Sequence, residues 1–382
     1  MSSGVEWACR FATEVCRDPE HAVSRWKSLS GRRAAGCLPI HIPEEVLHAA
    51  GMLPVTVWGN EFVPYPPADT PPFGCSLAGG VASAIRSGRW GEIDAWVFPS
   101  ACEAFPGAFD SLLSPIDGRP RFPFAHPVPA NAPGAAEELL DRVEGFREWA
   151  GRISGREVSE GALEKSVREY NRNRSAFALL EERMRESAGS FSGTEFLALA
   201  RSGMVLPKEA HTEILRAALS RSRTALRPVR AKVFLSGVMA TTLVVKAIDA
   251  AKGAIVGNDL ALGHRYYSGP ADEAGDMPLA LTRRHLRKGT CSSPHGCGPT
   301  RPGTLFRRFS ESGADRLLQL RIRPCEPGSG QIFDLAGEAR DRGVPFLCLD
   351  IDRDAGKGAS AKARIASFVT QRKTKTDQGR KG

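Results

Sequence analysis

A chain of 382 residues with 52 Lys and Arg against 43 Asp and Glu carries a formal charge of +9, and this length suits two or three domains rather than one core. Hydrophobic residues at 42% and charged residues at 25% exclude a disordered or fibrous chain. The basic excess is diffuse, apart from a solvated tail (Arg372, Lys373, Lys375, Arg380 and Lys381) that lacks interleaved aromatics, so no nucleic-acid partner is expected. A spread of positive charge would instead help to attract a small anionic ligand. Met1 to Arg10 has no apolar export segment, and the most apolar central stretch, Val233 to Ala251, is broken by Lys246 and Asp249, so a cytoplasmic protein without a membrane span is expected. Nine cysteines in such a chain are buried thiols, metal ligands or nucleophiles more readily than a disulfide framework.

The first 30 residues read as an amphipathic helical lead-in. Pro43 to Gly51 then has the signs of a helix, with proline in the first turn, Glu44 and Glu45 just after it, and Gly51 where it should stop. Met52 to Trp58 follows as a short strand, and a helix over about Ser76 to Ser87 leads to a buried strand, Ile93 to Phe98, that ends at Ser100-Ala101-Cys102-Glu103. The section from Ala135 to Leu226 is helical. Leu163, Val167, Tyr170, Phe177, Leu180 and Met184 fall at helix spacing behind a Ser159 cap, and Ser192 with Glu195 forms a capping-box pattern.

The C-terminal third repeats the first plan. Strands are expected at Lys232 to Leu235, Ala254 to Val256, Arg316 to Ile322 and Val344 to Ile351, with a helix from Leu243 to Ala251. Strands alternating with helices imply parallel α/β units. The expected fold is therefore α/β: two Rossmann/flavodoxin-like parallel-sheet domains facing a cleft, with an intervening helical region. The expected boundaries are 1–134 for the N-terminal helix and first α/β domain, 135–228 for the helical region, 229–372 for the second α/β domain and 373–382 for the tail.

Ligands of open parallel sheets bind beyond the carboxyl ends of the strands. Cys102 and Cys325 each stand just past such an end, and Cys75 opens a helix, where the helix dipole favours the thiolate. Three thiolates at one cleft suit a soft metal or an iron–sulfur cluster. Intervals of 27 and 223 residues match no local metal motif, so inert buried thiols and a zinc site stay open on spacing alone. Cys9, Cys16 and Cys348 read as packing residues, and Cys291, His295 and Cys297 as a loop without standard zinc spacing. His41, Glu44 and Glu45 suit either acid–base work or helix-dipole complementarity, and Asp259, His264 and Arg265 follow another strand end and could face the cleft. No phosphate-cradling G-x-x-x-x-G-K-[ST] string is present, so any ATP hydrolysis belongs to another protein.

Four stretches carry a resemblance: Gly36-Cys37-Leu38-Pro39-Ile40-His41-Ile42-Pro43-Glu44-Glu45 with the following His48 to Val55; Phe98-Pro99-Ser100-Ala101-Cys102-Glu103; Asn258-Asp259-Leu260 to His264-Arg265-Tyr266; and Pro324-Cys325-Glu326-Pro327. Together they resemble the 2-hydroxyacyl-CoA dehydratase D-component/benzoyl-CoA reductase family. Arg201 to His211 looks most like the C-type subunit of ATP-dependent benzoyl-CoA reductase. The resemblance implies two α/β domains with a helical accessory region and one [4Fe–4S] cluster held by Cys75, Cys102 and Cys325. It also implies a homologous second subunit, a separate ATP-hydrolysing electron activator and an acyl-CoA substrate. Cys102-Glu103 and Cys325-Glu326 stand where the family often has Cys-Asp, and Ser76 to Gly80 replaces a more polar, arginine-bearing segment.

Overall fold

The computed structural model describes residues 3–39, 41–58, 75–100, 118–127, 130–220, 226–288, 300–322, 325–351 and 358–371. Cys102, Cys291, His295, Cys297 and the basic tail lie outside the described residues.

The lead-in is two helices, α1 (Ser3–Arg17) and α2 (Pro19–Ser30). Asp18 separates them: its carboxylate accepts from the His21 amide, and Pro19 occupies the first position of α2, where a missing N–H goes unnoticed. Four strands then form the first sheet, β1 (Ala34–Cys37), β2 (Leu53–Thr56), β3 (Ala95–Pro99) and β4 (Arg121–Phe124), in the order β2-β1-β3-β4 and all parallel. Helices α3 (Glu44–Ala49) and α4 (Ser76–Arg86) connect them. β1 and β4 were not expected. β1 is the four residues Ala-Ala-Gly-Cys, too short and too small to show a strand pattern, and β4 is an edge strand masked by Pro120 and Pro123.

Four helices follow: α5 (Ala135–Ser154), α6 (Glu160–Glu186), α7 (Gly193–Ser202) and α8 (Lys208–Leu219). The Ser159 cap and the Ser192–Glu195 capping box are both present.

The second sheet contains β5 (Ala231–Gly237), β6 (Gly253–Leu260), β7 (Arg316–Arg321) and β8 (Phe346–Asp350). Its order, β6-β5-β7-β8, is again all parallel and repeats the first. Its helices are α9 (Thr242–Ala250), α10 (His264–Tyr267), α11 (Met277–Lys288), α12 (Thr300–Glu311), α13 (Glu326–Asp341) and α14 (Gly358–Thr370). Two expectations need correction here. β6 runs through Asp259 rather than stopping at Val256. Cys348 is half-buried rather than core, because β8 is an edge strand with its residues only partly covered.

One hydrophobic core joins both sheets, α1, α7, α8 and α9; a second packs α3, α5, α6 and α11 on the other face of the first sheet. Trp96 is 1% exposed and packs against Gly36 of the neighbouring strand: a Cβ there would meet its ring at 2.2 Å. Only glycine permits that approach, and burial of an indole this completely stabilises the sheet by about 3 kcal/mol.

Both sheets start in the middle, run outward, and return to the other side. Each therefore has a topological switch point at the carboxyl ends of its strands, between β1 and β3 and between β5 and β7.

Candidate functional site

The carboxyl edges of the two sheets face each other, and three side chains span the gap. Tyr266, from α10 after β6, donates to Glu44 Oε2 at 2.6 Å, beyond β1. Arg201 of α7 lies 5.3 Å over the ring of Trp58, beyond β2, and donates to the Ala240 carbonyl beyond β5 at 2.6 Å. Lys208 of α8 donates to Tyr266 Oη at 2.7 Å and pairs with Glu44 at 3.3 Å. The helical region thus braces the mouth between the sheets.

Cys75 and Cys325 both cap helices at this edge. Each is the N-cap of the helix that leaves a strand's carboxyl end, α4 after β2 and α13 after β7. Cys75 is buried, and its Sγ accepts from the Ala78 amide at 3.4 Å. The thiolate is the form that binds metal. In sequence, Cys102 follows Pro99 by three positions, and Pro99 ends β3, a strand that borders the first sheet's switch point. Among the described residues no three His, Cys, Asp or Glu side chains form a metal-holding group, and that set does not contain Cys102. At the two described positions the donor atom is sulfur rather than a hard carboxylate oxygen, and sulfur suits soft metals and iron–sulfur clusters.

Beside these positions lies a buried charged core that sequence reasoning largely missed. Glu44 and Glu45 stand in the first turn of α3, where they complement its dipole, and both are buried, at 5% and 1% exposure. Glu44 accepts from Thr56 at 2.7 Å and from Tyr170 at 3.3 Å, besides Tyr266 and Lys208. Glu45 pairs with Arg174, whose guanidinium also donates to Asn171 at 2.9 Å. Burial alone would push the Glu45 carboxyl up, but Arg174 and Arg284 outweigh it and bring it down to about 2. Burial lowers Lys208 and Lys288 from the usual lysine range and brings Arg284 down to about 9, with Arg174 repelling it. Among the described lining residues, four cations (Arg174, Lys208, Arg284, Lys288) thus face two carboxylates, around a gap of about 20 Å³ that holds no more than one water.

Three histidines adjoin this core. The rings of His41 and His126 are 5.2 Å apart, and those of His126 and His285 are 5.9 Å apart. His41 has φ +78, a conformation rare for a residue with a side chain, and its carbonyl accepts from His126 Nε2 at 2.5 Å. His41 Nε2 and both ring nitrogens of His285 are buried with no hydrogen-bond partner among the described residues. All three rings are held neutral. Burial, then neighbouring charge from His126, Lys288, Arg265 and Arg284, lowers His41; burial brings His126 down to about 4; burial and then Arg284 lower His285.

The other expected residues divide. Arg265 ties the ends of β5 and β6 by donating to the Gly237 carbonyl at 2.6 Å, while Asp259 lies within β6. His264 turns away toward Glu181 of α6, at 2.8 Å. Arg174 could have been suspected from sequence, since it is a charge set into the apolar stripe between Tyr170 and Phe177. His126 and His285 offered no such signal.

Comparison with known proteins decides the family. The profile of 2-hydroxyglutaryl-CoA dehydratase, D-component, matches residues 39–371. The chain belongs to this family. It is similar to the beta subunit of lactoyl-CoA dehydratase from Anaerotignum propionicum, 25% identical over 96% of this chain and 99% of the relative. It is also similar to the beta subunit of (R)-2-hydroxyglutaryl-CoA dehydratase from Acidaminococcus fermentans, 25% identical over 93% and 97%. The C-type subunit of benzoyl-CoA reductase from Thauera aromatica is 22% identical over 91% and 93%. In this 2-hydroxyglutaryl-CoA dehydratase family chain, no helix among the described residues is long and apolar enough to cross a membrane.

Proposed function

We propose that this chain is a [4Fe–4S]-holding subunit of a complex that acts on an acyl-CoA, with Cys75, Cys102 and Cys325 as the cluster ligands. The observation that supports this most is the repeated placement of cysteine at the carboxyl edge of both sheets, with Cys75 and Cys325 as helix N-caps. A cluster bound there would supply electrons one at a time at low potential. The chain's own residues would do the rest. The Ala78 amide donates to the Cys75 sulfur, the core about Cys75 keeps water away, and Lys208, Arg284 and Lys288 add positive charge beside the cleft. The buried surplus of cations supports a site that meets negative charge.

The finer reading from sequence is a benzoyl-CoA reductase-type complex, delivering electrons for ring reduction. Removal of water from a 2-hydroxyacyl-CoA is the second reading, favoured by 25% identity to two dehydratase beta subunits along nearly their whole length. Both need the same electron delivery, a homologous partner subunit and an ATP-driven activator. The reconstituted complex, assayed anaerobically with benzoyl-CoA and with a 2-hydroxyacyl-CoA, separates them: a cyclic diene product supports the first and an enoyl-CoA the second. Turnover of neither removes the proposal.

A further inference from the structure

The charged core between the sheets does not neutralise itself. Glu44 pairs with Lys208 at 3.3 Å and Glu45 with Arg174, which engages both carboxylates. Thr56, Tyr170 and Tyr266 take further acceptor positions on Glu44. Arg284 and Lys288 of α11 have only carbonyl partners among the described residues. Arg284 donates to Gly269 at 2.8 Å and to Ser268 at 3.2 Å, and Lys288 donates to Tyr266 at 3.5 Å. Arg284 is 3% exposed. The cations converge: Arg174 and Lys208 lie 5.5 and 5.1 Å from the ring centroid of Tyr170, and Lys208 and Lys288 lie 5.0 and 5.7 Å from that of Tyr266. All four line the gap of about 20 Å³. Arg174, 7% exposed, also has its Nε buried with no hydrogen-bond partner among the described residues.

A buried cation without a counter-charge is strongly unfavourable, and an unpaired N–H adds to that. Four cations against two carboxylates leave two positive charges in the described lining. One water would satisfy a donor but cancel no charge. A gap that holds a single water has no room for a polyatomic anion such as phosphate. We infer that the gap binds one chloride ion as a resident counter-ion, held by Arg284 and Lys288, with Arg174 and Lys208 completing the positive wall. Such an ion ties α11 to α6 and α8, the helices that carry these four side chains. The inference gives the cations a resident anion and does not rest on the iron–sulfur reading.

Crystals of the full chain soaked in bromide, and thermal melts in chloride or gluconate at one ionic strength, test it. A bromine anomalous peak in the gap supports the inference and needs no variant. So does a melting temperature that rises by about 2 °C for each tenfold increase in chloride once the site is filled. Gluconate is too large for the gap and should give no rise. Lys288→Met should abolish the chloride-dependent rise. Arg287→Gln, at an exposed position of the same helix, should leave it intact, which separates the site from general screening of surface charge. The other route to neutrality is loss of a proton from Lys288, toward which burial and then Arg284 push it. A gap empty of bromine, or a melting temperature indifferent to chloride, is the sign of that route and overturns the inference. A chloride response that survives Lys288→Met overturns it too. Iron content is measured on the same samples, so loss of the cluster reading and loss of this one register separately.

Discussion

Acidification should destabilise this fold steeply, and the magnitude follows from four histidines. His41, His126, His211 and His285 are all held neutral. His211 is fully buried between Asn173 and the Leu199 carbonyl and is brought down to about 3, and His126 to about 4, burial being the first cause in each case. In the unfolded chain each takes up a proton near pH 6.5. Below that value the unfolded state binds more protons than the folded one, so stability falls as pH falls, over the window from about 6.5 to about 4. One unit into the window, at about pH 5.5, each ring costs about 1.4 kcal/mol, and the four together about 6 kcal/mol. That is comparable to the whole stability of a typical domain, about 5–15 kcal/mol. Glu45, held down to about 2, adds a loss of the same sign between about pH 4.5 and 2. Urea titrations followed by tryptophan fluorescence at about pH 7.5 and 5.5 would read this difference. His211→Gln should remove about a quarter of the pH dependence, whatever it does to stability at neutral pH. Equal unfolding free energies at the two pH values would refute the assignment of neutral, buried rings.

Other substitutions test other parts of the account. Glu45→Gln leaves Arg174 buried without its counter-charge and should cost about 3–5 kcal/mol, whereas Glu45→Gln combined with Arg174→Met should cost less than that single change; thermal melts of both variants check this. Gly237→Ala places a Cβ 2.1 Å from the Leu320 carbonyl oxygen at φ +133, and should lose about 3 kcal/mol or more in a chemical unfolding assay. Ser192→Ala breaks the capping box of α7 and should cost about 1 kcal/mol, read as a fall in melting temperature. Cys75→Ser should lower bound iron sharply, while Cys9→Ser, at a packing position of α1, should leave it unchanged.

The α/β plan could be read from the sequence because its signals are local. The buried strand Ala95–Pro99 is a continuous apolar run, Arg316–Arg321 carries three leucines in six residues, and caps such as Ser159 and Ser192 act within one turn of helix. β1 and β4 escaped because Ala34–Cys37 carries almost no side-chain volume and Arg121–Phe124 is a proline-bearing edge. The position of Cys325 past a strand end and of Cys75 at the start of a helix was legible for the same local reason. The charged core was not. Glu44 meets Tyr266 across 222 residues of chain and Glu45 meets Arg174 across 129, and nothing near Glu44 or Glu45 distinguishes a buried pair from a helix's acidic first turn. Such contacts are set by how the helical region docks between the two sheets, which no local pattern records.

Everything said of electron delivery turns on Cys75, Cys102 and Cys325 together holding one iron–sulfur cluster. Iron and acid-labile sulfide, measured on anaerobically purified chain beside the Cys75→Ser, Cys102→Ser and Cys325→Ser variants, test it most directly. The expected result is about four of each per chain and a sharp loss in all three variants. Zinc in place of iron, or iron that survives all three substitutions, would contradict it.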